Sequence, residues 1–151
     1  TYPDSTIFLK FHPKTFPKYL EIFEQQISAL GIKFIISKNF AGDDFNLKLI
    51  LISEAIIQKQ STVGFIAMQA RTPIISYNIY DTGYFDNLYE ILDCSIHCKS
   101  MLEVDKALQD IKNPKLLEQL KIRQAKSCEE FCIETDSPNH EIAMAIRAIT
   151  N

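Results

Sequence analysis

Glycine is scarce in this sequence. The 151 residues contain four glycines, at positions 31, 42, 64 and 83. The dinucleotide-binding fingerprint and the P-loop both need several glycines within one short loop, because the backbone approaches a phosphate closely there. The four glycines are too far apart for either motif. The sequence therefore excludes both glycine-rich loops, and a nucleotide would have to be held by another arrangement.

Three further features are missing. There is no excess of basic residues, since 16 Lys and Arg against 19 Asp and Glu give a net charge of −3, which argues against a nucleic-acid partner. The longest uncharged stretch, residues 60–70, contains Gln, Ser and Thr and is shorter than the roughly 18 apolar residues of a membrane span. The polar start of the chain resembles no signal peptide, and it begins with Thr rather than Met. We therefore expect a mature or trimmed chain with no membrane span and no nucleic-acid partner.

The chain has the length of one domain and alternates strand-like with helix-like segments. Strands are predicted at 6–11, 32–37, 54–58, 73–77 and 94–98. Helices are predicted at 16–30, from Asp43 or Asp44 to about 52, at 61–71, at 100–111, from 113 onwards and at 137–149. Gly31 is expected to end the first helix as a C-terminal cap. Ser100 and Glu103 fit a capping box that starts the helix at 100–111. Residues 78–92 are expected to be loop with at most a helical turn.

This alternation with short links is typical of an α/β fold. We expect a single three-layer, Rossmann-like domain spanning residues 1–151. It would have a mostly parallel sheet of about five strands, helices on both faces and a helical C-terminal end.

Two polar clusters follow predicted strands. Lys10 and His12 end the first strand, and Ser61, Thr62 and Gly64 follow the third. Open parallel sheets bind ligands beyond the carboxyl ends of their strands, where helix N-termini attract anions and hydroxyl groups add donors. The clusters therefore predict one anion site, suited to a diphosphate or a sugar phosphate. Gly64, which has no side chain, would let a ligand or a neighbouring backbone approach closely.

Each cluster also has a simpler explanation. Ser61 and Thr62 before an apolar run could be only a helix N-cap. His12 before Pro13 could only end a strand, because proline blocks further pairing. The convergence of both clusters at one end of the predicted sheet favours the anion site.

These residues carry a resemblance to a known family. FLKFHPK at 8–14 resembles the K-x-HP segment of bacterial surface-polysaccharide glycosyltransferases with the GT-B fold. STVGFIA at 61–67, followed by TPII at 72–75, resembles their S-[ST]-x-G-x-x-A…P-[VI]-[IV] segment. The group includes sialyltransferases and polysialyltransferases, capsule Kdo transferases and CDP-glycerol glycerophosphotransferases.

The resemblance implies the C-terminal, donor-binding half of such an enzyme, with a nucleotide sugar as donor and a CMP-sugar slightly favoured. By resemblance, Lys10, His12, Ser61, Thr62 and Gly64 bind the nucleotide phosphates, and His12 acts catalytically by stabilising charge on the leaving phosphate. No metal or other cofactor is expected. The N-terminal acceptor domain of this family is expected in cis or as a separate subunit, so the chain alone is expected to be inactive.

A loop at 80–86 follows the fourth predicted strand. Its Tyr80, Asp81, Thr82 and Tyr84 could close over the base or sugar of the donor, or the loop could pack on the C-terminal helices. Many relatives place a Glu where this chain has Ile66, which leaves open a non-catalytic GT-B-like scaffold or partner module. Half of a sugar-nucleotide 2-epimerase, which shares the architecture, is a further alternative.

The four cysteines lack the C-x2-C spacing of structural zinc sites. Cys128 and Cys132 fall on the apolar side of a predicted helix, so we expect buried thiols. His97, on the last predicted strand, is expected to pack within the fold or at an edge rather than to bind a metal. Free cysteines without a secretory signal favour a reducing compartment, so we expect a protein of the cytoplasm or of the inner face of the membrane.

Overall fold

The computed structural model describes residues 5–11, 15–31, 33–36, 43–59, 61–78 and 88–131. Its contacts divide the chain into an N-terminal unit, Thr1–Phe45, and a C-terminal unit, Asn46–Asn151. The predicted helix at 137–149 lies outside the described residues.

The N-terminal unit contains a pair of parallel strands. Strands β1 (Ile7–Leu9) and β2 (Phe34–Ile36) pair with Phe8 opposite Ile35. Between them in sequence runs helix α1 (Pro17–Ala29), which carries its proline in the first turn, where the missing N–H costs no hydrogen bond. Gly31, at φ +64°, follows the end of α1, as expected for a helix stop that needs a left-handed backbone.

Helix α2 (Asp43–Ile52) leads into the C-terminal unit, which contains three parallel strands in the order β3-β4-β5. The strands are β3 (Ile56–Gln58), β4 (Ile74–Tyr77) and β5 (Ile96–Cys98). The helices are α3 (Val63–Gln69), α4 (Leu88–Ile91), α5 (Met101–Asp110) and α6 (Pro114–Phe131). Helix α4 is the helical turn expected within residues 78–92.

Strand β4 is the buried centre of this three-stranded sheet. Neighbouring side chains of a strand point to opposite faces, and both Ile74 and Ile75 are fully buried. Ile74 packs in a cluster with Met68 of α3 and Tyr89 of α4. Ile75 packs in a second cluster with Val104 of α5. Helices therefore cover both faces of this sheet, as predicted.

The predicted α/β class with parallel strands is confirmed. The pairing differs from the expected single sheet of about five strands, because the described strands form one sheet of two and one of three. Apolar patterning marks a strand but does not encode which strand it pairs with, so the division could not be read from the pattern. Within the described residues, no helix combines the length and apolar character needed to cross a membrane.

The predicted capping box at α5 is present with one difference. The Glu103 backbone N–H donates to Ser100 Oγ at 3.3 Å, as expected for an N-cap. The Glu103 carboxylate accepts from the Lys99 N–H at 2.7 Å, one residue before the partner of the standard reciprocal box. Local sequence therefore specified the start of this helix.

Candidate functional site

Part of the predicted anion site falls within the described residues. Ser61 and Thr62 lie between the end of β3 and the start of α3, at the carboxyl end of the three-stranded sheet, as predicted. Lys10 follows β1 in the N-terminal unit and is exposed. The remaining predicted site residues lie outside the described residues: His12, Tyr80, Asp81, Thr82 and Tyr84.

Three backbone N–H groups at the start of α3 are already hydrogen-bonded within the turn itself. The Val63 N–H donates to Ser61 Oγ at 3.3 Å. The Gly64 N–H donates to the Ser61 carbonyl oxygen at 2.9 Å, and the Phe65 N–H to that of Thr62 at 3.1 Å. The Ser61 hydroxyl oxygen therefore satisfies one N–H at the start of α3, which agrees in part with the simpler explanation of this motif. Thr62, the N-cap residue, makes no side-chain capping bond. The hydroxyl protons of Ser61 and of the exposed Thr62 are the donors that this turn offers to an anion.

Gly64 is buried, and its missing side chain makes room for the protein itself. A methyl group at this position would overlap the phenol ring of Tyr89 and the side-chain amide of Gln58. The Tyr89 hydroxyl donates a hydrogen bond to the Ser61 carbonyl oxygen. The close approach predicted at Gly64 is thus made by two side chains of this chain, which hold the Ser61–Thr62 turn against α4.

Beside this turn lies a set of polar side chains that sequence analysis missed. We call it the polar row, and it consists of Gln58, Ser76, Asn78 and His97. Gln58 pairs with Ser76, and Ser76 with His97, across three neighbouring strands. Residues opposite each other in register share a face of the sheet, and for this row it is the face of Ile74, which α3 and α4 cover.

Several atoms of the polar row are buried without a hydrogen-bond partner. They are both amide atoms of Gln58, Oδ1 of Asn78 and Nδ1 of His97. The Ser76 hydroxyl, by contrast, donates to the Ser95 hydroxyl at 3.0 Å. Buried polar groups are nearly always hydrogen-bonded, so such a cluster requires an explanation. The sequence signal was a polar residue at the end of each apolar strand, but only the register shows that these residues lie side by side.

Glu90 lies at one end of the polar row. Its Oε2 is 3.5 Å from His97 Nε2, and the His97 side chain is 14% exposed while that of Glu90 is 47% exposed. A carboxylate at that distance favours a proton on Nε2. In the neutral imidazole with that proton, the buried Nδ1 carries a lone pair and is an acceptor.

Burial favours the neutral form of two side chains near the row, Tyr89 and Cys94. Burial raises the pKa of the Tyr89 phenol, and the neighbouring Gln58 amide opposes this rise. Burial also raises the pKa of the Cys94 thiol to about 11. The expectation of buried thiols holds for Cys94 and Cys98, whereas Cys128 is only half-buried and Cys132 lies outside the described residues. Among the described residues, no group of three His, Cys, Asp or Glu side chains could hold a metal ion.

A shallow surface groove lies on the opposite end of α3. Ala70 and Arg71, which follow α3, line it together with α6 residues that include Glu118, Lys121 and Ile122. Its charges are mixed, and no residue of the predicted anion site lines it. It therefore does not form part of that site.

No model of a known protein family matches this chain, and no curated protein sequence does. Any assignment of function accordingly depends on the motifs and on the geometry of the described residues.

Proposed function

We propose that this chain is the donor-binding domain of a glycosyltransferase that builds a surface polysaccharide or lipopolysaccharide, with a CMP-sugar as its donor. The observation that carries the proposal is the position of the Ser61–Thr62 motif. It begins α3 directly beyond the carboxyl end of β3 in a parallel α/β unit, where such folds bind their ligands. The polar row on the neighbouring strands adds buried hydrogen-bonding groups at the same end.

The Ser61 and Thr62 hydroxyls would donate hydrogen bonds to the phosphate of the donor. When the bond from the sugar to the nucleotide breaks, negative charge grows on that phosphate. Fixed donors that meet this charge lower the barrier. The resemblance also assigns Lys10 and His12 to the nucleotide phosphates, and it implies that the acceptor and its base come from a further domain or subunit.

One observation favours a different function. Ile66, in place of the Glu of many relatives, packs against the core cluster around Ile74, and the space beside Gly64 is filled by Tyr89. Side chains committed to packing do not bind a nucleoside. The second candidate is therefore a non-catalytic module of the same fold that serves as a scaffold or partner subunit.

Calorimetric titration of the full chain with CMP, CDP, UDP and GDP tests the proposal. We expect binding of the cytidine nucleotides, weakened about tenfold when Thr62→Val removes one hydroxyl donor, since a hydrogen bond to a charged group contributes about 1.5–3 kcal/mol. Ser28→Ala, an exposed serine of α1, is the control and should leave binding unchanged.

Failure of all four nucleotides to bind at about 1 mM, a binding free energy weaker than about 4 kcal/mol, would refute donor binding and favour the scaffold. If the nucleotides bind but Thr62→Val does not change their affinity, the Thr62 hydroxyl does not contact the donor.

A further inference from the structure

The polar row presents an unusual set of hydrogen-bonding groups. Asn78 is 5% exposed, and its Oδ1 has no hydrogen-bond partner. Nδ1 of His97 is likewise buried and unpartnered. With the proton of His97 on Nε2, toward Glu90, both atoms are acceptors. Buried acceptors of this kind take their hydrogen bonds from a bound group, either an ordered water or a ligand.

Gln58 completes the set with both kinds of group. Its Nε2 is a donor and its Oε1 is an acceptor. Both atoms are buried without a hydrogen bond of standard geometry, although the amide lies beside the Tyr89 hydroxyl and acts on its pKa. Neighbouring strands lie about 4.8 Å apart, so the row from Gln58 to His97 spans roughly 10 Å. The Gln58 amide also lies against Gly64, in the first turn of α3, so the row begins beside the Ser61–Thr62 turn.

The ligand that matches this set has two donors close to one acceptor. An exocyclic amino group next to a ring nitrogen has this pattern, and cytosine and adenine carry it. Uracil and hypoxanthine carry a carbonyl oxygen in place of the amino group and an N–H in place of the ring acceptor. They would set their oxygen against the Asn78 and His97 acceptors.

We propose that Gln58, Asn78 and His97 recognise an amino-bearing nucleobase and discriminate against its oxo counterpart. This inference rests on the proposed function, because it assigns the base of the nucleotide whose phosphate meets Ser61 and Thr62. A site that leaves buried polar groups unpaired with the wrong ligand discriminates strongly, whereas an apolar pocket of the same shape does not.

Two matched pairs of nucleotides test the inference on the full chain: CMP against UMP, and AMP against IMP. Each pair differs only in the amino or oxo group and its ring proton. We expect the amino member of at least one pair to bind about tenfold more tightly or better. Equal affinities within both pairs would overturn the inference and leave the proposed function standing, whereas no binding by any of the four would overturn both.

Substitutions then assign the preference to these side chains. Asn78→Leu and Gln58→Met remove the unpartnered atoms at similar volume and should bring the CMP to UMP affinity ratio close to one. Gln119→Met, at an exposed position of α6, is the matched control and should keep the wild-type ratio. If Asn78→Leu and Gln58→Met both fold and keep the full preference for CMP over UMP, the assignment to these side chains is overturned. If a variant does not fold, the affinity ratios of the wild type decide the inference.

Discussion

The phenol of Tyr89 lies against Gly64, and its hydroxyl donates a hydrogen bond to the carbonyl oxygen of Ser61. One side chain of α4 thereby fixes the turn between β3 and α3. The same carbonyl also accepts from the Gly64 N–H at 2.9 Å. The turn that carries Ser61 and Thr62 is therefore held by tertiary packing as well as by its local hydrogen bonds.

Gly64→Ala should destabilise the protein even though it places a better helix former in α3. Helix propensity alone favours alanine by about 1 kcal/mol. The new methyl group, however, overlaps the Tyr89 ring and the Gln58 amide, and overpacking of this kind costs about 1–3 kcal/mol. Chemical unfolding measures the difference. Gln69→Ala, at an exposed position of α3, controls for propensity.

The double variant Gly64→Ala/Tyr89→Leu identifies the cause. If the overlap with the ring is responsible, the two changes together cost less than the sum of the single changes, because the smaller side chain makes room for the methyl group. Strict additivity would show that Gly64 is required for another reason.

Tyr89→Phe should lower the free energy of unfolding by about 1 kcal/mol, the usual contribution of one intramolecular hydrogen bond. The loss stays modest because the Ser61 carbonyl keeps its bond from the Gly64 N–H. Tyr19→Phe is the matched control, since Tyr19 is 63% exposed. Equal effects of the two substitutions in urea unfolding would mean that the Tyr89 hydroxyl bond adds nothing.

Local sequence signals predicted the elements of this fold well. Ser100 and Glu103 predicted the start of α5, because an N-cap depends on residues within one turn. Alternating apolar segments predicted all five described strands, and Gly31 predicted the end of α1. These features depend on neighbours in the sequence, which a single chain displays directly.

Features that depend on strand register could not be predicted in the same way. Gln58 and His97 lie 39 positions apart, and only the pairing of both strands with β4 places them on one face. Gly64 predicted a close approach, but its partner Tyr89 lies 25 positions later in the sequence. The motif at Ser61 was visible in the sequence, whereas the buried polar groups beside it required the fold.

Stability should fall as the pH rises from about 9 to about 11. Burial raises the pKa of the Cys94 thiol from 9.0 to about 11 in the folded chain. The unfolded chain releases this proton first, so the stabilisation is complete below pH 9 and is lost as the pH passes the folded pKa. Burial raises the pKa of Cys98 as well, so its thiol acts in the same direction.

Guanidinium unfolding at intervals across this pH range measures the effect. Cys94→Ala removes one of the two thiols, so its stability should decline less steeply with pH than that of the wild type, although it starts from a lower value. Parallel declines in the two proteins would show that Cys94 does not carry the pH dependence.

Gln124→Ala should lower the free energy of unfolding by about 2 kcal/mol, because Gln124 connects α6 to the sheet. The residue is fully buried, and its Nε2 donates to the Thr72 carbonyl oxygen at 2.9 Å. Thr72 Oγ1 in turn donates to the Ile50 carbonyl oxygen at 3.0 Å, so one chain of hydrogen bonds links α6, the segment before β4 and α2. Alanine leaves a cavity and an unpaired carbonyl at this junction.

Two further substitutions distinguish loss of the Gln124–Thr72 hydrogen bond from the general effect of a substitution in α6. Gln119→Ala, on the exposed side of the same helix, should have little effect. Gln124→Glu keeps the volume but sets a carboxylate against the Thr72 carbonyl, so at neutral pH it should destabilise more than alanine does. Burial would raise the pKa of this new carboxyl group, so its stability should recover as the pH falls and the group takes up a proton. A Gln124→Glu variant as stable as the wild type at neutral pH would show that the donor to Thr72 contributes nothing.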